Sequence, residues 1–203
     1  MSPLSTTPYW RLSGFYFFYF AALGVFVPYW SLYLQGQGFS AKHIGELTAI
    51  FLSVRIFAPY IWSWIADHKD HRMPIVRMAS LAATISFAAI LVQQDSFLWV
   101  AFVMLVFGIF WNATLPQFES NTLQHLDEHS HHYSKIRLWG SIGFIITVIA
   151  LGSLFENISI DWMPIALIIT MAGMWLISLT VPESASRHLS LEHKPIRHLL
   201  KQP

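Results

Sequence analysis

One arginine lies far inside a long apolar stretch of the chain. Arg55 follows His43 by twelve positions, so in a helix that rises 1.5 Å per residue it would lie roughly 18 Å from that end. A guanidinium at that depth in hydrocarbon costs about 2.5–3.5 kcal/mol on insertion scales and cannot easily reach water along the lipid. We expect Arg55 to face a protein interior or a water-filled cavity. It would be bonded to helix carbonyls, in contact with an anion or a substrate, or part of an ion pair that switches.

A second set of polar residues falls near the end of another apolar stretch. Asn112, Pro116 and Glu119 are spaced by four and three residues, which places them on one face of a helix. Arg137 opens the next apolar stretch and would lie at a depth similar to that of Glu119. The two charges can pair, which lowers the burial cost of each. Such a pair in a polar cavity suits sugar hydroxyls or a carboxylate ligand, although two charges that only anchor helices at the interface would share this placement.

The composition says what kind of element must hold these side chains. Of 203 residues, 55% are hydrophobic and only 11% are charged, against about 25% charged in a typical soluble domain. The absence of Cys excludes a secreted disulfide scaffold. The net charge of +1 provides no broad basic field for nucleic acid. The sequence therefore predicts an all-α membrane protein whose partner is the lipid bilayer and not a nucleic acid.

Six apolar stretches are long enough to cross the hydrocarbon core, which takes about 20 helical residues. The first is too long and too aromatic for a signal peptide. We therefore predict a polytopic bundle of six transmembrane helices, with spans at 9–34, 44–66, 75–92, 97–118, 138–155 and 162–181.

Basic residues distinguish the two sides of the predicted bundle. Ten Lys and Arg residues fall in segments assigned to one side, and Lys42 falls on the other. Positive charge accumulates on the cytoplasmic side of a membrane. We expect a multi-pass protein of the inner (cytoplasmic) membrane with both termini in the cytoplasm.

Two patterns bear on helix packing. Pro28 in the first span and Pro116 in the fourth occupy similar pentads, Val-Pro-Tyr-Trp-Ser and Leu-Pro-Gln-Phe-Glu. These spans cross the membrane in opposite directions, which is the arrangement of two inverted three-helix repeats. In the fifth span, small residues recur at spacings of 3, 4 and 3 and predict a close helix–helix contact: Gly140, Gly143, Thr147 and Ala150.

Histidines on the predicted cytoplasmic side raise one alternative, a membrane metalloenzyme. The pair His68-x-x-His71 and the run from His125 to His132 offer imidazole ligands suited to iron or zinc. The run lacks the His-x-x-His-His pattern of membrane di-iron desaturases, and Arg55 has no part in that chemistry. We therefore expect no metal, no cofactor and no enzyme activity.

The order of the motifs along the chain is also informative. It comprises an aromatic first span with Pro28, then Val54-Arg55-Ile56-Phe57, then Asp67 and Arg72, then Asn112-Ala-x-x-Pro116-x-x-Glu119, and then the stretch from Tyr133 to Ser141. This order resembles the N-terminal half of the lactose permease group of the major facilitator superfamily. It is more similar still to the 3-phenylpropionate transporter-like branch.

The resemblance implies roles for individual residues. Glu119 and Arg137 match the pair that binds sugar in lactose permease. Phe144 matches the aromatic residue that stacks on the sugar, which is a Trp in that protein. Asp67 matches the acidic residue of the superfamily's gating loop, although Ser63 replaces the first Gly of that signature. The predicted substrate-binding residues are Glu119, Arg137, Asn112, Phe144 and Arg55, and the predicted gating residues are Asp67 and Arg72.

The resemblance also implies a larger protein, because the family fold has twelve helices in two halves with the substrate site between them. We expect residues 1–181 to form the N-terminal six-helix bundle and residues 182–203 to begin the central cytoplasmic loop, with the C-terminal half absent. The implied function is proton-coupled symport of a small organic solute (an aromatic carboxylate, a sugar or a nucleoside) by alternating access, with the half bundle inactive alone. The alternative is a helical membrane subunit or scaffold that transports nothing.

Overall fold

The computed structural model describes residues 8–69, 71–126 and 132–184. Within these ranges the chain is helical and contains no strand. One 3₁₀ turn, Ala89–Val92, extends the third helix, and another, Ile160–Trp162, precedes the sixth. The six α-helices of the described ranges are α1 (Tyr9–Gly36), α2 (Ala41–Lys69), α3 (Met73–Ala88), α4 (Phe97–Leu126), α5 (Tyr133–Asn157) and α6 (Met163–Thr180).

Each predicted span corresponds to one helix that is long and apolar enough to cross a membrane. Five of the six helices nevertheless extend past at least one predicted end, whereas α6 stays within its predicted span. α2 continues to Lys69, so the placement of Asp67 in a loop was wrong, and α3 already begins at Met73. α4 continues to Leu126 and α5 already begins at Tyr133. Hydropathy marks where the hydrocarbon ends, whereas backbone hydrogen bonds carry a helix onward through polar residues.

The pairing of helices has an internal symmetry. α1 packs against α5 and α6, α4 packs against α2 and α3, and α3 packs against α6. Exchanging α1 with α4, α2 with α5, and α3 with α6 reproduces the same set of pairs. Two three-helix repeats produce this pattern, and the predicted inverted repeats are confirmed at the level of which helices touch.

Aromatic rings of α1 form much of the core. Phe15 stacks on Phe118 of α4 with ring centres 3.6 Å apart, and Tyr19 stacks on Trp111 with centres 4.5 Å apart. Lipid provides no hydrophobic drive for helices to associate, so such close contacts supply the attraction between them. Most rings of the aromatic first helix therefore serve packing.

Small residues let α1 and α5 approach closely. A Cβ on Gly143 would collide with the backbone of Phe17, and a Cβ on Gly24 would lie 2.9 Å from the carbonyl oxygen of Phe144 and 3.3 Å from Cβ of Thr147. The predicted small-residue stripe is thus confirmed at Gly143 and Thr147, together with the buried Gly140, whereas Ala150 at its end is exposed.

Candidate functional site

A cavity of about 460 Å³ lies between α1, α2, α4 and α5. It exists because α1 makes few contacts with α2, and α4 makes few with α5. Its volume falls within the range of small-molecule sites, roughly 300–1,000 Å³. The wall is formed by Tyr19, Phe20, Leu23, Phe26 and Val27 of α1, Phe51, Leu52, Arg55 and Pro59 of α2, Trp111, Asn112, Leu115 and Pro116 of α4, and Arg137 of α5.

Arg55 lies in the cavity wall and is exposed there. No hydrogen bond or ion pair joins its guanidinium to another residue of the described ranges. The helix-carbonyl bonding considered for Arg55 from the sequence is therefore not observed. The surrounding wall is mostly aromatic and aliphatic, so this charge faces a cavity with few polar groups.

Arg137 and Glu119 meet at the edge of the cavity, as the sequence predicted. Nε of Arg137 lies 3.9 Å from Oε1 of Glu119, and both side chains are about one-third exposed, at 30% and 35%. A partly exposed pair at this distance contributes at most about 1 kcal/mol. Tyr133 donates a hydrogen bond of 3.0 Å to the same Oε1, so the carboxylate has two partners.

The Arg137 side chain is also held by aromatic rings. Its Cζ lies 3.8 Å from the centre of the Phe20 ring and 5.6 Å from that of Tyr16. A guanidinium over a ring face gains about 0.5–1 kcal/mol at exposed sites. Arg137 is thus positioned by α1 as well as by α4.

Asn112 and Pro116 form the α4 side of the wall. The Asn112 side chain donates to the carbonyl of Gly108 at 2.8 Å, which uses one of its two amide N–H donors and leaves its side-chain oxygen as an acceptor. Pro116 has no N–H, so it cannot make the helical bond to the backbone carbonyl of Asn112 four residues earlier. Pro59 has the same relation to the carbonyl of Arg55 on α2.

Two other predicted residues lie away from this wall. Phe144 is half-buried on α5, with its backbone against Gly24, and it is not among the described residues that line the cavity. Asp67 lies near the end of α2, and its side chain is outside the described part of the structure. The structure therefore places Arg55, Asn112 and Arg137 in the wall. Glu119 is not a wall residue but is joined to the wall through Arg137, whereas Phe144 is outside it.

Arg72, the second predicted gating residue, connects three elements. Its Nη1 donates to Oε1 of Gln117 on α4 at 2.8 Å. Gln117 in turn donates to Ser63 of α2 at 3.3 Å. The backbone N–H groups of Arg72 and Met73 donate to the two oxygens of Glu183, each at 2.9 Å.

Glu183 is a residue that the sequence reasoning missed. Its carboxylate accepts from two N–H groups at the start of α3, where the geometry of a helix provides no carbonyl within the helix and the helix dipole also favours a negative charge. At the same end of the bundle, Arg77 donates to the carbonyls of Ser178 and Val181 and so caps the C-terminus of α6. No local pattern could reveal Glu183, because the helix that it caps lies over a hundred residues earlier. The pair Gln117 and Asn121, four residues apart on α4, could have indicated a buried polar contact at this end of the bundle, because buried polar side chains require hydrogen-bond partners.

Within the ranges described, no group of three or more His, Asp or Glu is arranged to hold a metal. His68 and His125 each bond instead to a carbonyl of their own helix, at 2.8 and 2.9 Å. His129 and His131 lie outside the described residues.

Known proteins resemble this chain in sequence. The chain is 31% identical over 147 residues to the maltose permease of Geobacillus stearothermophilus, covering 71% of this chain and 37% of that protein. It is 28% identical over 182 residues to a protein of Escherichia coli K12 named as a probable 3-phenylpropionic acid transporter, covering 88% and 48%. The chain thus spans less than half the length of these relatives.

A solved structure agrees with this picture at the level of the fold. The crystal structure of the nucleoside transporter NupG superimposes with a TM-score of 0.77 at 19% identity, covering 90% of this chain and 45% of that one. The family model described as the MFS_1 like family matches residues 9–198. With six helices of membrane-spanning length, the protein is a multi-pass membrane protein. It belongs to the MFS_1 like family of the major facilitator superfamily.

Proposed function

We propose that the chain forms the N-terminal half of a secondary transporter that moves a small organic solute by alternating access. The observation that carries the proposal is the cavity between α1, α2, α4 and α5, with charged and polar groups in a largely aromatic wall. A protein that served only as a helical scaffold would not require a guanidinium, that of Arg55, in the wall of a cavity. The relatives are named as a permease and transporters, and their names include a sugar, an aromatic acid and nucleosides.

The proposed substrate contacts are Arg55, Asn112, Glu119 and Arg137. The resemblance adds Phe144, although this residue is not among those that line the cavity. Asn112 offers an acceptor, and Arg137 offers donors that its weak ion pair with Glu119 leaves free to bind a ligand. Such groups suit a ligand that carries both polar and apolar surface.

The missing half is proposed as the partner of α2 and α5. Both helices show large apolar side chains to the outside, including Ile56 and Tyr60 on α2 and Ile145 and Ile149 on α5. The curated relatives are about twice as long as this chain. A second six-helix bundle against these faces would close the cavity, and residues 1–181 alone would then bind but not transport.

The orientation and coupling belong to the same proposal. Ten basic residues on one side of the spans favour an inner-membrane protein with cytoplasmic termini. Arg72 and the neighbouring Asp67 would then lie at the cytoplasmic ends of α2 and α3 and resist the opening of that end. Proton coupling enters the proposal from the resemblance, and Glu119 is the carboxylate that lies beside Arg137 of the cavity wall.

Uptake measurements test the proposal. The 203-residue chain and the longest product of its reading frame are placed in proteoliposomes and given labelled 3-phenylpropionate, maltose and uridine, with and without an imposed pH gradient. We expect uptake of one solute by the longer product, driven by the gradient and abolished in Arg137→Lys, because a lysine cannot replace the planar guanidinium. Lys135→Gln, an exposed change two residues away, is the control. Absence of uptake for every solute, or full uptake by Arg137→Lys, would contradict the proposal.

A further inference from the structure

Three helix ends meet at one end of the bundle and expose two basic side chains there. Nη1 of Arg11 on α1 donates to the carbonyl of Thr180 at the end of α6, at 3.0 Å. The hydroxyl of Tyr9, two residues earlier, donates to the carbonyl of Lys135 near the start of α5, at 3.5 Å. The ends of α1, α5 and α6 are thus joined, and the side chains of Arg11 and Lys135 are exposed beside them.

Two tryptophans accompany these cations. Trp10 is 71% exposed, and its ring centre lies 5.6 Å from that of Trp139, one turn after Lys135 on α5. Nε1 of Trp139 donates to the hydroxyl of Tyr9 at 3.0 Å, which holds this ring in place. Membrane proteins concentrate tryptophan at the level of the lipid headgroups. The four exposed or partly exposed side chains are called the basic–aromatic patch below: Trp10, Arg11, Lys135 and Trp139.

The basic–aromatic patch is turned away from the cavity. Lys135 and Trp139 lie two residues before and after Arg137, which is roughly 200° around a helix with 3.6 residues per turn. Because Arg137 lines the cavity, these two side chains lie on the opposite side of α5. They also lie on average about 80° around α5 from Ile145 and Ile149, whose face is proposed to contact the missing half. The patch therefore faces the surrounding lipid.

The positive charge of the patch is not neutralised within the described ranges. No carboxylate there pairs with either of its two cations. Glu119 on the neighbouring α4 is already engaged by Arg137 and Tyr133. A basic side chain at headgroup depth strengthens binding to an anionic lipid by about fivefold. An isolated phosphate ion would use these charges but would leave the exposed tryptophan rings without a contact.

We infer that the basic–aromatic patch binds an anionic phospholipid of the adjacent leaflet. Arg11 and Lys135 contact the phosphate, and Trp10 and Trp139 lie against the glycerol and the upper part of an acyl chain. The inference stands apart from the proposed function, because none of these four residues is among the described residues that line the cavity.

Native mass spectrometry of the 203-residue chain, purified in detergent, tests the inference. The chain is titrated with dioleoyl phosphatidylglycerol and dioleoyl phosphatidylcholine, which have the same acyl chains and differ in headgroup charge. We expect phosphatidylglycerol to bind roughly twenty-five-fold more tightly, about fivefold for each basic side chain. Arg11→Gln and Lys135→Gln should each reduce this preference about fivefold, and the double variant should abolish it.

These two substitutions are chosen to remove charge and little else. A glutamine at position 11 keeps an N–H donor for the carbonyl of Thr180. The side chain of Lys135 has no hydrogen-bond or ion-pair partner in the described ranges. Arg11→Lys and Lys135→Arg keep the charge and should keep the preference. Thermal unfolding of each variant shows whether it folds, and the single variants keep the test valid if the double variant does not.

The ring contacts are tested by Trp10→Leu, which should weaken the binding of both lipids alike, by about two- to threefold, because the two lipids share the parts that the ring touches. Lys42→Gln is the matched charge control, since Lys42 is exposed on α2 and pairs with Glu46, and it should keep the full preference. Inorganic phosphate should not displace the lipid.

Five results would overturn the inference. They are equal binding of the two lipids by the wild type, a preference that persists in the double variant, a loss as large in Lys42→Gln, unchanged binding of both lipids in Trp10→Leu, and displacement by inorganic phosphate. In phosphatidylcholine vesicles, which contain no anionic lipid, Lys135→Gln remains the control for uptake, so failure of this inference leaves the test of the proposed function intact.

Discussion

The guanidinium of Arg137 on α5 lies 3.8 Å from the centre of the Phe20 ring on α1, across the interface between the two helices. Gly140, one turn further along α5, makes this contact possible, since a Cβ there would lie 2.6 Å from Cδ2 of Phe20 and 3.1 Å from Nη1 of Arg137. The partner carboxylate of Glu119 is less tightly engaged, at 3.9 Å. The ring therefore fixes the direction in which the Arg137 side chain points.

Replacing this ring should weaken ligand binding without unfolding the bundle. Phe20→Leu keeps an apolar side chain but removes the ring face, a loss of about 0.5–1 kcal/mol. Because Arg137 is a proposed substrate contact, the dissociation constant of the transported solute, measured by equilibrium dialysis, should rise roughly two- to fivefold. Phe18→Leu is the matched control, because Phe18 packs against Gly173 of α6 and not at the cavity. A larger effect from Phe18→Leu than from Phe20→Leu would argue against this role of the ring.

The ring that contacts the ligand is expected to be Trp111 and not Phe144. Trp111 lines the cavity and is held by stacking on Tyr19 at 4.5 Å, whereas Phe144 is absent from the described wall. Trp111→Leu should raise the dissociation constant several-fold, since an aromatic contact gives about 0.5–1.5 kcal/mol beyond its buried area.

Phe144→Leu should change that dissociation constant less than roughly twofold, within the uncertainty of a variant that touches no ligand. Both variants replace a ring by the same side chain, so the comparison isolates position. A several-fold effect from Phe144→Leu with none from Trp111→Leu would restore the assignment implied by the lactose permease resemblance.

Glu183 should stabilise the bundle by capping α3. Its carboxylate accepts from the N–H groups of Arg72 and Met73 at 2.9 Å each. Glu183→Ala exposes both donors and should cost about 1–2 kcal/mol, measured as a fall of a few degrees in the midpoint of thermal unfolding. Glu183→Gln keeps one acceptor oxygen, so its midpoint of thermal unfolding should lie between those of the wild type and Glu183→Ala. Glu156→Ala, an exposed acidic residue at the far end of α5, is the control and should leave the midpoint unchanged.

How far the sequence could predict this molecule depends on the range of the interactions. The six spans follow from apolar runs about 20 residues long, and the pairing of Glu119 with Arg137 follows from their similar depth on helices joined by one loop. The helix ends were less accessible. Asp67 follows the apolar run and was assigned to a loop, yet the backbone stays helical to Lys69.

Contacts between distant segments were beyond the sequence. Glu183 caps a helix that starts at Met73, and Phe20 supports Arg137 from a helix over a hundred residues earlier. Neither relation has a local signature, because each depends on how α1, α3, α5 and α6 pack. The depth of Arg55 could be predicted from the sequence. That it has no ion-pair partner in the described ranges could be seen only from the positions of its neighbours.

The close approach of α1 and α5 gives a test of packing against helix propensity. A Cβ on Gly143 would collide with the backbone of Phe17, and backbone atoms of two packed helices cannot yield without shifting the helices. A Cβ on Gly45 of α2 meets nothing within 4 Å. Both Gly→Ala changes gain helix propensity, up to about 1 kcal/mol, so their difference reports the collision alone. Gly143→Ala should lower the midpoint of thermal unfolding, since overpacking costs about 1–3 kcal/mol, while Gly45→Ala should leave it equal or raise it. Equal shifts for the two variants would show that the α1–α5 contact is looser than the structure describes.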